Sequence, residues 1–158
     1  MKTLVIMRHG KPVGFGEGFV DFDRPLTFSG IGFLRNQAEK LKTAVPGIDS
    51  IAYSPSKRTT ETMDIMSSVF LEAKKSSIER IYGARAPILE DIIVDFPGQV
   101  QTLLLIGHNP GVSDLFGNYT KNRPLFGPGC FGVITFDVND WSEIVRAKIS
   151  SYGYYFGK

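Results

Sequence analysis

A chain of 158 residues with 42% hydrophobic and 22% charged residues can bury one core and is too apolar for disorder, so the sequence predicts a single domain over 1–158. A net charge of +2 without a basic run gives no electrostatic case for nucleic-acid or membrane binding, and Lys74-Lys75 with Arg80 reads as a solvated face. No stretch approaches the roughly 20 apolar residues of a membrane span, and the first apolar run meets Arg8 and His9 too soon for a secretion signal. The lone Cys130 excludes an internal disulfide framework, and cytoplasm is the expected compartment.

Leu4–Met7 is a short apolar run that predicts a buried strand, followed by a loop from Gly10 to about Arg24 carrying Gly14, Gly16 and Gly18. Ile31, Leu34, Ala38, Leu41 and Val45 recur at three- and four-residue steps and predict a helix, with Thr27 or Ser29 as its cap and Pro46-Gly47 as its stop. Residues 50–54 predict a second strand, and the next helix buries Thr59, Met63, Met66 and Phe70. Residues 78–82 read as an extended piece, and Pro87 opens a helix running to about Phe96. Thr102–Ile106 predicts a third strand, after which Asn109-Pro110 caps a helix with Val112, Leu115, Phe116 and Tyr119 on one face.

The tail differs. Residues 132–138 and 143–150, separated by Asn139-Asp140, lack helical spacing and predict a hairpin. Strands alternating with helices indicate an α/β three-layer sandwich, a mostly parallel central sheet flanked by helices with the last pair antiparallel at one side.

Ligands bind beyond the carboxyl ends of strands in open α/β sheets. Arg8, His9 and Gly10 follow the first predicted strand; Ser54, Pro55 and then Arg58 follow the second; Gly107, His108 and Asn109 follow the third. The only two histidines and two arginines therefore converge if these strands are parallel. Guanidinium forks and helix N-termini suit a phosphate-sized anion. A neutral imidazole in that positive field is a nucleophile toward phosphorus, and a second can donate to phosphoryl oxygens as charge builds on them.

Other chemistries fit less well. A cysteine phosphatase needs an arginine six residues beyond its cysteine, where this chain has Phe136, so Cys130 reads as a small buried residue. Asp21-Phe22-Asp23 superficially matches the paired aspartates of Mg-dependent phosphatases but lacks a preceding apolar strand; it reads as a loop leading into a helix. Two histidines without a spaced carboxylate set make a weak metal site, and no Walker-type loop or Gly-x-Ser-x-Gly elbow is present.

Arg8-His9-Gly10 after an N-terminal strand resembles the Arg-His-Gly signature of the histidine phosphatase superfamily, the phosphoglycerate mutase-like fold. Asp23-Arg24-Pro25-Leu26-Thr27 with Gly30, residues 54–62 (Ser-Pro-Ser-Lys-Arg-Thr-Thr-Glu-Thr) and Gly107-His108-Asn109-Pro110-Gly111 are similar to its short SixA-type phosphohistidine phosphatases, in family order over most of the chain. The resemblance implies that His9 is the nucleophile, that Arg8, Arg58 and His108 complete the phosphate pocket, and that Arg24 is a further substrate or phosphate contact. It implies no metal or organic cofactor.

One departure matters. Mutase and sugar-phosphatase members carry a glutamate general acid between the second helix and the third strand. Here residues 80–87 contain no acid, and the first carboxylates are Glu90 and Asp91. Imidazole leaves phosphorus more easily than an alkoxide, so the absence favours an N–P substrate or a good leaving group, with Glu90 or Asp91 still open as the acid. The expectation is a metal-independent phosphatase acting on phosphohistidine of a partner protein such as a phosphotransfer domain. The alternatives are a phosphomonoesterase on a small phosphorylated metabolite and a non-catalytic phosphate-binding regulator.

Overall fold

The computed structural model describes residues 1–157. Strands β1 (Lys2–Arg8), β2 (Ser50–Tyr53), β3 (Lys74–Ser77), β4 (Thr102–Gly107), β5 (Phe131–Phe136) and β6 (Ile149–Tyr155) form one six-stranded sheet in the order β3-β2-β4-β1-β5-β6. The pairs β3-β2, β2-β4 and β4-β1 are parallel, and β1-β5 and β5-β6 are antiparallel. Helices α1 (Phe28–Ala44), α2 (Lys57–Ser67), α3 (Ala86–Val94) and α4 (Gly111–Thr120) cover its faces, so the architecture is the expected three-layer α/β sandwich.

Period-two alternation of strand side chains divides the interior into two cores. Leu4, Ile6, Leu103, Leu105, Ile134 and Phe136 point to the face covered by α3 and α4, where Leu89, Ile93, Leu115, Phe116 and Trp141 meet them. Val5, Met7, Leu104, Ile106, Ile51 and Phe131 point to the opposite face, against Leu34, Ala38 and Leu41 of α1 and Met63 and Met66 of α2. Both faces are buried, so β1 and β4 read as continuous apolar runs rather than alternating ones.

The structure adds one strand and corrects two expectations. Lys74–Ser77 is an edge strand that polar side chains concealed: it presents no apolar alternation because its side chains face solvent. Residues 78–82 contain a short 3₁₀ turn, Glu79–Ile81, not an extended piece. In the tail the returning strand starts at Ile149, because Asp140 and Glu143 form a reciprocal capping box that winds Trp141–Arg146 into a 3₁₀ turn. Trp141 is buried there and donates through Nε1 to the Val100 carbonyl at 2.8 Å.

Lys2, fully buried at the start of β1, donates to the carbonyls of Gly98 and Val100 and pins β1 to the turn that leads into β4. Among the described residues no helix is long and apolar enough to cross a membrane.

Candidate active site

Register brings the chemistry together. Arg8 lies opposite Gly107 in the β1-β4 ladder, and Tyr53 lies opposite Ile106 in the β2-β4 ladder, so three parallel strands end level. His9, Ser54 and His108 are the residues at or just past those ends. The imidazoles of His9 and His108 are 5.1 Å apart between centroids, both nearly buried.

Arg58, in the first turn of α2, joins them. Its Nε donates to His9 Nε2 at 3.3 Å and its Nη2 to His108 Nδ1 at 3.3 Å. These bonds, with those on the far side of each ring, define the tautomers. His9 Nδ1–H donates to the Gly10 carbonyl at 2.7 Å, leaving Nε2 unprotonated as the acceptor from Arg58. His108 Nε2–H donates to Ser54 Oγ at 2.9 Å, leaving Nδ1 as the acceptor from Arg58.

The pKa of His9 is lowered to about 3, first by burial, with His108, Arg58 and Arg8 acting in the same direction and the Gly10 carbonyl opposing them. His108 is lowered to about 4, again first by burial and then by Arg58. The expected direction is present, with desolvation rather than neighbouring cations as its leading cause.

Arg8 acts from the end of β1. Its Nη1 donates to the Phe126 carbonyl at 2.9 Å, while its Nε is buried and unpartnered among the described residues. Asn109 does not cap α4: Pro110 occupies the cap position, and the Asn109 amide donates instead to the same Phe126 carbonyl at 2.8 Å.

Arg24 stands one step back. It donates through Nε to the Val13 carbonyl at 2.9 Å and through Nη1 to Asp21 Oδ1 at 2.8 Å, with Phe15 stacked 4.0 Å from its guanidinium. It meets the cluster through Asp21.

Asp21 is the site residue that sequence reasoning missed. Its Oδ2 accepts from Arg58 Nη2 at 3.1 Å and from the Tyr82 hydroxyl at 2.6 Å, and its carbonyl accepts from Arg58 Nη1 at 2.7 Å. The Tyr82 hydroxyl, followed by Arg24 and Arg58, holds its pKa near 2, so it is a carboxylate throughout the neutral range. Tyr82 also packs edge-on against His108 at 5.4 Å and Phe22 at 5.2 Å. The two acids left open as proton donors sit elsewhere. Glu90 accepts from the Tyr119 hydroxyl at the end of α4 remote from His108, and Asp91 is exposed on α3.

The other residues of these motifs have local work. Thr62 Oγ1 accepts from the Gly10 amide at 3.0 Å, and Glu61 Oε1 accepts from the Leu26 amide at 2.8 Å, so α2 carries Arg58 and also holds both flanks of the glycine loop. Thr27 caps α1 by accepting from the Gly30 amide at 3.0 Å, and Gly30 lacks a side chain because a Cβ would lie 2.6 Å from the Lys11 carbonyl oxygen. Among the described residues no three His, Cys, Asp or Glu side chains gather to hold a metal ion.

No family model matches the chain. An uncharacterized Mycobacterium leprae protein, ML1117, is 31% identical over 123 residues, covering 73% of this chain and 74% of that protein. Rv1276c of Mycobacterium tuberculosis, also uncharacterized, is 31% identical over 109 residues, and the chain spans 69% of itself and 66% of that protein's length in the match. Among solved structures, a SixA-type protein from Nakamurella multipartitia superposes with a TM-score of 0.84 at 21% identity, covering 96% of this chain and 95% of that one. The protein histidine phosphatase SixA complexed with tungstate gives 0.74 at 22%, covering 95% of each. A mycobacterial glucosyl-3-phosphoglycerate phosphatase gives 0.69 at 13%, covering 96% and 98%. The chain belongs to one family with the M. leprae protein, and its fold is the phosphoglycerate mutase-like fold of the histidine phosphatases, SixA-type proteins among them.

Proposed function

We propose that this chain is a metal-independent phosphatase with His9 as nucleophile, and that its substrate is phosphohistidine on a partner protein. The observation that carries the reading is the unprotonated Nε2 of His9, with its Nδ1–H tied to Gly10 and its lone pair facing Arg58. In the first step that lone pair attacks phosphorus, the bond from phosphorus to the leaving group breaks, and its electron pair departs with that group. Arg8 and Arg58 donate to the phosphoryl oxygens as charge builds on them, and His108 completes the pocket by accepting from Arg58 through Nδ1. In the second step water attacks phospho-His9, releasing phosphate and restoring the neutral ring.

The protein-substrate reading is supported by the rim. Phe15, Phe19, Val20 and Phe22, all on the loop tied to the site through Asp21 and Arg24, are exposed, a poor setting for a small ionic metabolite and a suitable one for a protein surface. Its test is turnover of a panel holding a phosphohistidine protein, free phosphohistidine and phosphorylated sugars, with His9→Ala as control. The highest kcat/KM belongs to the phosphohistidine protein. Preference for a sugar phosphate would replace the protein substrate with a metabolite, and tight binding without turnover would make the chain a regulator.

A further inference from the structure

An anionic side chain in an anion pocket works against the binding of a dianion, so the position of Asp21 needs a reason. One guanidinium, that of Arg58, reaches His9, His108 and Asp21 at once, which puts the carboxylate beside the place where a phosphoryl group meets His9. Arg24, Arg58 and Tyr82 occupy three of the roughly four lone-pair sites of a carboxylate, so one is left. The side chain is 39% exposed, so the remaining lone pair is accessible from solvent. Tyr82 and Phe22, packed edge-to-face, stand next to it as an aromatic wall. A carboxylate lined by aromatic rings is a receptor for a flat cation.

We propose that Asp21 is the leaving-group and specificity residue, accepting the N–H of a phosphohistidine imidazolium on the nitrogen not bonded to phosphorus. This rests on the phosphatase reading above and adds to it the means by which an enzyme without a nearby acid expels its leaving group. As His9 Nε2 bonds to phosphorus, the P–N bond breaks and its electron pair returns to the substrate ring. That ring keeps the proton it shares with Asp21 and departs as neutral imidazole. No proton has to be supplied, and Asp21 stays ionised throughout. The same charge repels a dianionic ester whose leaving group carries no cation, which makes Asp21 a discriminator as well as an anchor.

The experiment compares Asp21→Asn with the unaltered protein on two small substrates, free phosphohistidine and p-nitrophenyl phosphate. The amide keeps the acceptor toward Arg58 and loses the charge. kcat/KM for phosphohistidine falls about 30-fold or more, the loss of a hydrogen bond between charged groups. kcat/KM for p-nitrophenyl phosphate rises several-fold, because a repelling charge is gone. Asp21→Glu, which restores the charge, recovers part of the phosphohistidine preference.

A loss of the same size on both substrates, or no change on either, would overturn the role of Asp21 while leaving the phosphatase reading intact. An unaltered protein that hydrolyses the ester but not phosphohistidine would overturn the substrate assignment, and this inference with it. Should Asp21→Asn fail to fold, Asp21→Ser gives the same two-substrate ratio.

Discussion

In the proposed mechanism His9 meets phosphorus as a free base, because two neighbours divide its ring: Nδ1–H donates to the Gly10 carbonyl and Arg58 points a donor at Nε2. Its pKa of about 3 and that of His108, about 4, place both rings in the neutral form well below the usual imidazole range. An ordinary histidine nucleophile would lose activity as pH falls through about 6.5. Here kcat/KM, which reports the free enzyme, stays level between about pH 7.5 and 5.5 once the substrate's own ionisation is divided out. A half-loss near pH 6.5 in that profile would place a protonated His9 in the resting enzyme.

At this scale the two histidines, Arg8 and Arg58 were legible because each follows a strand or opens a helix in a short, readable motif. Asp21 was not, since a carboxylate in a glycine-rich loop has no periodicity to place it. Its role comes from three donors distant in sequence or hidden in turns. Tyr82 escaped for the same reason, lying at the end of a 3₁₀ turn that its residue types did not announce.

The elements hold the site by close approach of backbone to backbone. α4 starts three residues after His108, and a Cβ at Gly111 would collide with the Ala84 carbonyl oxygen. The helix can approach the turn before α3 only because that position is bare. Gly111→Ala therefore costs about 2–3 kcal/mol of stability by overpacking and lowers Tm by roughly 5–10 °C. It also lowers kcat, because α4 cannot shift without carrying His108. Thermal unfolding together with steady-state kinetics checks both, and a variant as stable and active as the parent would show that this contact yields freely.

Helices α1, α2 and α4 were readable from apolar spacing, α3 from the proline that opens it, and β1 and β4 from unbroken apolar runs. β3 and the true start of β6 were not. An exposed edge strand needs no apolar face, and the Asp140 capping box outweighs the strand-like residues that follow it.

For the whole molecule, keeping two buried imidazoles neutral has a consequence for stability. Both folded pKa values lie below the unfolded value of about 6.5, so the unfolded chain takes up protons first as pH falls. Stability is full above about pH 6.5 and is lost as pH falls from there toward the folded values, by roughly 2 kcal/mol per ring at pH 5. Denaturant unfolding should therefore be flat from about pH 7 to 8 and weaken below about 6.5, with His108→Gln removing about half of the slope. An unchanged slope in that variant would assign the acid sensitivity to other groups. The layered architecture and the convergence at one sheet edge followed from the order of strands and helices. The two-sided core came with it, because β1 and β4 are apolar at successive positions. What lay beyond the sequence was the loop folded back over the pocket, held by ion pairs rather than by a core.

The central claim is that His9 carries the phosphoryl group between substrate and water. Rapid quenching of the protein with a ³²P-labelled substrate, followed by peptide mapping, tests it directly. The account predicts an acid-labile, alkali-stable label on His9 that appears and decays within the turnover time, and no label or turnover in His9→Ala. Turnover that survives His9→Ala, or label on any other residue, would contradict it.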